Sequence, residues 1–227
     1  MKTGTKVPPG RVLRLAREER RPGGAGAGQG AKRARAAVAD VASPSAAYAA
    51  TLETTGRLDP EIVAYVRKID AYRAGRDPIR LMKTGPAKVA RAIRGLTPAQ
   101  MRKRPAKGKW CIAEILGHLV DTEVVYGYRY RLALSQPGVP IPGYDQAAWA
   151  ASLRHHRRNP SRLMEQIQTL RKINLDLVQS MPRKSWERYG RHSERGKESV
   201  RRTLELIAGH DLNHLDQILA IRRKYGW

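Results

Sequence analysis

The sequence predicts an all-α protein, a four-helix bundle with a long crossover lid between its second and third helices, preceded by a disordered basic tail. Three observations predict it. From Asp59 onward, apolar residues recur at helical spacing, and no segment sustains the period-two alternation of a strand. Proline follows a capping residue at Asp59-Pro60, Thr97-Pro98 and Asn159-Pro160, the arrangement that opens helices. More than twenty residues separate two long helical patterns, ending near Leu134 and starting at Asn159, far more than an antiparallel hairpin needs.

The first helix follows Asp59-Pro60 with Ile62, Val63, Val66 and Ile69 on one stripe. Thr84-Gly85-Pro86 reads as the start of a second, carrying Val89 and Ile93 and closed by Gly95. Thr97-Pro98 opens a short turn. The strongest pattern follows: Ile112, Ile115, Leu116, Leu119, Tyr126 and Tyr130 repeat to about Leu134. Ser135 to Gly143 is rich in proline and glycine, and Asp145 is placed to cap a short helix over Ala147–Trp149. A crossover of this length lets the helices on either side of it run parallel. Asn159-Pro160 caps the next helix, with Leu163, Ile167, Leu170, Asn174 and Leu177 on a stripe. The last is expected from about Lys197 to Arg223.

With 227 residues, 41% of them hydrophobic, the chain can build one ordinary domain plus a tail, placed at 57–227 and 1–56. The first fifty residues hold 10 Lys/Arg against 3 Asp/Glu and few large apolar side chains, too few to offset chain entropy. A helix near Val12–Arg20 would be marginal alone. The formal charge of +24 draws the chain toward polyanions, so non-specific nucleic-acid contact through a basic surface is a rival reading. No nucleic-acid reading motif is recognisable, and few aromatics interleave with the basic residues. One cysteine, Cys111, excludes an intramolecular disulfide and reads as a buried small residue. No run is long and apolar enough to span a bilayer, and no signal peptide precedes the glycine-rich segment. The expected location is the reducing cytoplasm, without a membrane partner.

Six histidines carry the chemistry. His210 and His214, at i and i+4, sit about 40° apart on a helix and roughly 6 Å apart along it, so both imidazoles can converge on one ion. They share a face with Val200, Thr203, Ile207 and Gln217. Chance would place such a pair in roughly one chain in six, so the spacing alone leaves two histidines hydrogen-bonded in the core as the alternative. Residues 210–214 read His-Asp-Leu-Asn-His, without the glutamate of a zinc protease helix. His118 lies mid-helix beside Gly117, a residue that costs roughly 1 kcal/mol there and so points to a close approach. Three neutral imidazoles from two helices would leave a divalent ion open on one side, as in catalytic sites. Glu114, Asp121 and Asp211 are candidates for orienting an imidazole or acting as catalytic bases. His155 and His156 lie in an arginine-rich stretch and are expected to be solvated.

Residues 108–123, Gly-Lys-Trp-Cys-Ile-Ala-Glu-Ile-Leu-Gly-His-Leu-Val-Asp-Thr-Glu, resemble the histidine-bearing helix of the DinB/YfiT-like proteins, and 208–217 resembles their closing helix with its paired histidines and Gln217. Pro142–Gln146 and Arg191–Gly196 are similar to segments of one branch. The resemblance spans residues 57–227. It implies a DinB-like four-helix bundle binding zinc or nickel through His118, His210 and His214, often as a homodimer. It also implies a metal-dependent hydrolase or a transferase of small thiols. The substrate would then be a small molecule or low-molecular-weight thiol, attacked by metal-activated water or by thiolate. Tyr144, Asp145, His192 and Gln217 are the expected pocket residues, with Trp149 divided between pocket and core.

Overall fold

The computed structural model describes residues 59–227; the expectations for residues 1–56, including a helix near Val12–Arg20, lie outside the described residues. Seven α-helices are described: α1 (Pro60–Arg73), α2 (Pro78–Ile93), α3 (Pro98–Arg102), α4 (Ile112–Ser135), α5 (Gln146–Ser152), α6 (Pro160–Ser180) and α7 (Val200–Tyr225). Side chains satisfy the free N–H groups at their starts. Asp59 accepts from Glu61 N at 2.7 Å, Asn159 from Ser161 N at 2.9 Å, and Ser199 from Arg202 N at 3.1 Å. Thr97 and Gln100 form a reciprocal capping box.

Two boundaries differ from the sequence reading. α2 begins eight residues before Pro86, because Asp77-Pro78 is a second Asp-Pro start and Asp77 accepts from Ile79 N at 3.0 Å. Pro86 lies inside the helix, where it cannot donate to the Met82 carbonyl one turn back. Arg171 Nη1 supplies that missing hydrogen bond from α6 at 3.0 Å. At the other end, residues expected to begin the last helix form a strand instead. β2 (Tyr189–His192) and β3 (Gly196–Ser199) make an antiparallel hairpin, and β1 (Pro140–Ile141) joins β2 in parallel, with Ile141 opposite His192. These strands are too short to show an alternating pattern, so the mostly helical chain carries a small sheet that the sequence did not reveal.

Helices α2, α4, α6 and α7 form the bundle, with α1 packed on α7. Its core has two apolar clusters. Val89, Ile115, Leu116, Leu163, Ile167 and Ile218 belong to the first; Met82, Tyr130, Leu175, Val178, Leu204 and Ile207 belong to the second. The N-terminal halves of α4 and α6 therefore share one end of the bundle and their C-terminal halves the other. The two neighbours run parallel, as the crossover allows. Gly209 lets α1 approach α7: a Cβ there would lie 2.2 Å from the Ile69 carbonyl oxygen.

A polar layer separates the two clusters. Arg171 is 4% exposed and holds Glu123 of α4 at 2.5 and 2.8 Å and Asp211 of α7 at 2.7 Å. Asn174 adds bonds to the Glu123 carbonyl and carboxylate at 2.9 and 3.0 Å. All four bundle helices thus meet at one guanidinium. Breaking a buried charge pair leaves its partners uncompensated. Arg171→Leu is expected to cost about 3–5 kcal/mol in urea unfolding; a loss below about 1 kcal/mol would mean the layer is not structurally coupled.

Candidate metal centre

His118 projects from the middle of α4, and His210 and His214 from successive turns of α7. Their Nε2 atoms converge: His118 and His214 lie 2.9 and 3.0 Å from His210. The three rings form the one group of three or more His, Cys, Asp or Glu residues placed to hold an ion among the described residues. All are buried. Burial drives the His118 pKa well below its ordinary value, reinforced by His214 and His210. The same cause, followed by His210, brings His214 to about 3. The His118 and His214 rings are therefore neutral at pH 7.

Neutral imidazole carries one proton, so each ring turns either a donor or a lone pair inward. His214 Nδ1–H donates to Gln217 Oε1 at 2.9 Å, which leaves a lone pair on its Nε2. The Asp211 carboxylate, 3.9 Å from His210 Nδ1, favours the proton on that side as well. Lone pairs are thus gathered at hydrogen-bond distance without enough protons to separate them. A divalent cation is the partner that satisfies this donor set, so the residues fit a metal. Trp110 closes one side, 5.0 Å from the His118 ring and stacked 6.4 Å from His214.

The acidic candidates fall elsewhere than expected. Glu114 caps the start of α4, accepting from Cys111 N at 2.9 Å and pairing with Arg104. Asp121 accepts from His155 Nε2 at 2.6 Å. Neither orients His118, whose Nδ1 has no hydrogen-bond partner. Asp211 sits beside His210, next in sequence to it, and is gripped by Arg171; burial would raise its pKa, but Arg171 and then His210 hold it at about 2.

His155 corrects the expectation of a solvated pair. It is fully buried in the crossover, on a 3-10 turn whose ring lies against Gly117, where a Cβ would come within 2.3 Å. The close approach inferred for Gly117 therefore serves His155 rather than a ligand. His156 remains half-buried. Cys111 is buried at the N-cap of α4, and burial raises its thiol pKa to about 11, so it is inert as a nucleophile.

Of the pocket candidates, Gln217 touches the cluster through His214. Asp145 caps α5 through Ala148 N at 2.9 Å. Tyr144 packs on Trp149 with centroids 4.7 Å apart, and Trp149 stays 36% exposed, so it is not core. His192 is 2% exposed; its Nδ1 accepts from Glu194 N at 3.0 Å. Burial, then Arg195 and Arg129, lowers its pKa to about 2. Sequence reading missed Arg171, Arg129 and Arg195, because arginine in a basic chain reads as solvated surface.

A histidine with a depressed folded pKa stays neutral in the fold but takes a proton when unfolded. Its contribution is complete above pH ~6.5 and is lost as pH falls from there. Between pH 7 and pH 5 the wild type should lose about 2 kcal/mol more than His192→Gln in urea unfolding. Equal losses in the two proteins would contradict neutral burial of His192.

Comparison with known proteins agrees with this geometry. A structure of YfiT from Bacillus subtilis superposes with a TM-score of 0.63 at 23% identity, covering 66% of this chain and 86% of that one, and is described as an unusual four-helix bundle. By sequence the chain is 24% identical over 151 residues to the Bacillus subtilis protein named "Putative metal-dependent hydrolase YfiT", covering 66% of this chain and 84% of the relative. A Bacillus mycoides protein of the same description is 25% identical over 142 residues, covering 63% and 82%. The DinB superfamily model matches residues 81–218, and the chain with its three-histidine cluster belongs to that superfamily.

Proposed function

We propose that this protein is a metal-dependent enzyme acting on a small molecule, either as a hydrolase or as a small-thiol transferase. The observation that carries the reading is the convergence of three buried Nε2 atoms, two of them within 3.0 Å of the third. His118, His210 and His214 would hold the ion, zinc or nickel by resemblance to the DinB/YfiT-like proteins. Such an ion supplies Lewis acidity, bringing the pKa of water or a thiol toward neutrality.

The protein's own groups prepare that chemistry. Gln217 keeps the His214 proton on Nδ1, and Asp211 does the same for His210, so both rings offer Nε2. We assign Asp121, whose Oδ2 pairs with His155, as the carboxylate that accepts a proton. Glu114, tied to Arg104 and the α4 N-terminus, serves the fold. Trp110 shields the histidines from bulk water.

The untagged protein should carry about one transition-metal ion per chain by mass spectrometry, and His214→Ala should carry less than a tenth of that. Gln217→Leu should weaken metal affinity by about 10-fold while leaving the melting temperature of the metal-free protein unchanged. Absence of metal from both wild type and His214→Ala would return the cluster to a hydrogen-bonded core.

A further inference from the structure

Below the histidines, α4 presents a second set of polar groups that no step above uses. Thr122 and Arg129 follow His118 at four and eleven residues, and eleven residues return to within about 20° of the same helix face after three turns. Side chains on a helix lean toward its N-terminus, so Arg129 reaches back along α4 toward the histidine cluster. The crossover and hairpin bring Tyr144 and His192 against this face. Tyr144 lies within electrostatic reach of both Asp121 and Arg129, and His192 within reach of Arg129 and Arg195.

Two of these groups, Arg129 and His192, are incompletely matched. Arg129 is 4% exposed, yet among the described residues its guanidinium makes one hydrogen bond, Nη2 to the Pro142 carbonyl at 2.9 Å. Its flat face lies 4.8 Å from the Tyr126 ring centre, and it forms no ion pair among the described residues. Arg195 beside it is matched by Glu198 at 2.6 and 3.1 Å, whereas Glu194, half-buried in the hairpin turn, forms no ion pair with either arginine. His192 accepts at Nδ1, so its proton is on Nε2, and that buried N–H has no partner. Thr122 Oγ1, by contrast, is engaged with the Tyr144 hydroxyl. Native proteins rarely leave a buried donor unmatched beside an arginine without a carboxylate.

We propose that Arg129 and His192 form an anion subsite, and that the substrate of the metal centre carries a carboxylate which binds there. A carboxylate matches the planar guanidinium fork and accepts from an imidazole N–H at the same time. One unmatched arginine calls for a monoanion rather than a phosphate dianion. Counting about 16 Å along α4 for eleven residues, less the reach of the arginine, places the subsite about 10 Å from the histidines. The substrate is then an elongated molecule with its reacting group at one end and its carboxylate at the other.

This rests on the metal reading, so the probe engages both ends. The metal-loaded full chain is titrated with α,ω-alkyl hydroxamic acids of four to eight methylenes, each paired with its methyl amide in place of the distal carboxylate. The acid should bind at least 10-fold tighter than the amide at one preferred length. Arg129→Gln should abolish that difference while leaving the amide's affinity unchanged, Arg129→Lys should retain part of it, and His192→Phe should weaken the acid alone by several-fold. Equal affinities of acid and amide at every length would overturn the subsite and leave the metal centre standing. Failure of both compounds to bind would overturn the metal centre and the subsite with it. Should Arg129→Gln fail to fold, Arg129→Lys and His192→Phe decide the matter by the same ratio.

Discussion

The guanidinium of Arg171 is the interaction on which the rest of this bundle depends. It sits between two apolar clusters, where a bare charge would be costly, and it is tolerated because Glu123, Asp211 and the Met82 carbonyl surround it. Each of those partners lies on a different helix. Apolar packing can hold bundle helices together in several registers, but this network is satisfied in only one. Because Asp211 adjoins His210, and Glu123 lies five residues from His118, fixing the network also fixes where the histidines point.

The same layer explains two residues that would otherwise weaken helices. Pro86 interrupts α2 at the position where Arg171 makes good the lost bond. Gly117 gives up helix propensity so that His155, carried on the crossover, can reach Asp121 through the space a methyl group would fill. In both places a local cost is offset by a contact from a distant part of the chain. The large positive charge is likewise partly spent within the fold: Arg171, Arg195 and Arg202 are all engaged with carboxylates.

The three-histidine cluster was legible in the sequence for a simple reason. The i, i+4 spacing of His210 and His214 fixes their relation by helix geometry alone, and the strong apolar stripe of α4 faces His118 inward. The starts of α1, α3 and α6 were equally readable from their capping residues and prolines. What could not be read depends on distant partners. The helical status of Pro86 requires a donor from α6, and the burial of His155 requires Asp121. The strands at 140 and 190 exist through pairing with each other rather than through any pattern of their own. Neither Glu114 nor Asp121 orients His118, for the same reason: helical spacing brought them near, but their pairs are made with Arg104 and His155.

The crossover is fastened at both ends, by the pairing of Ile141 with His192 near one end of the bundle and by His155 against α4 nearer the other. Between these rivets the chain runs free of the polar layer, and that stretch carries Tyr144 and α5. Pro142 holds Arg129 of α4 through its carbonyl and Ala150 is buried, so the stretch free to vary without disturbing the helices or the histidines is the exposed run 145–149. The span is a replaceable panel: relatives sharing one reactive centre could be fitted to molecules of different girth by exchanging it alone.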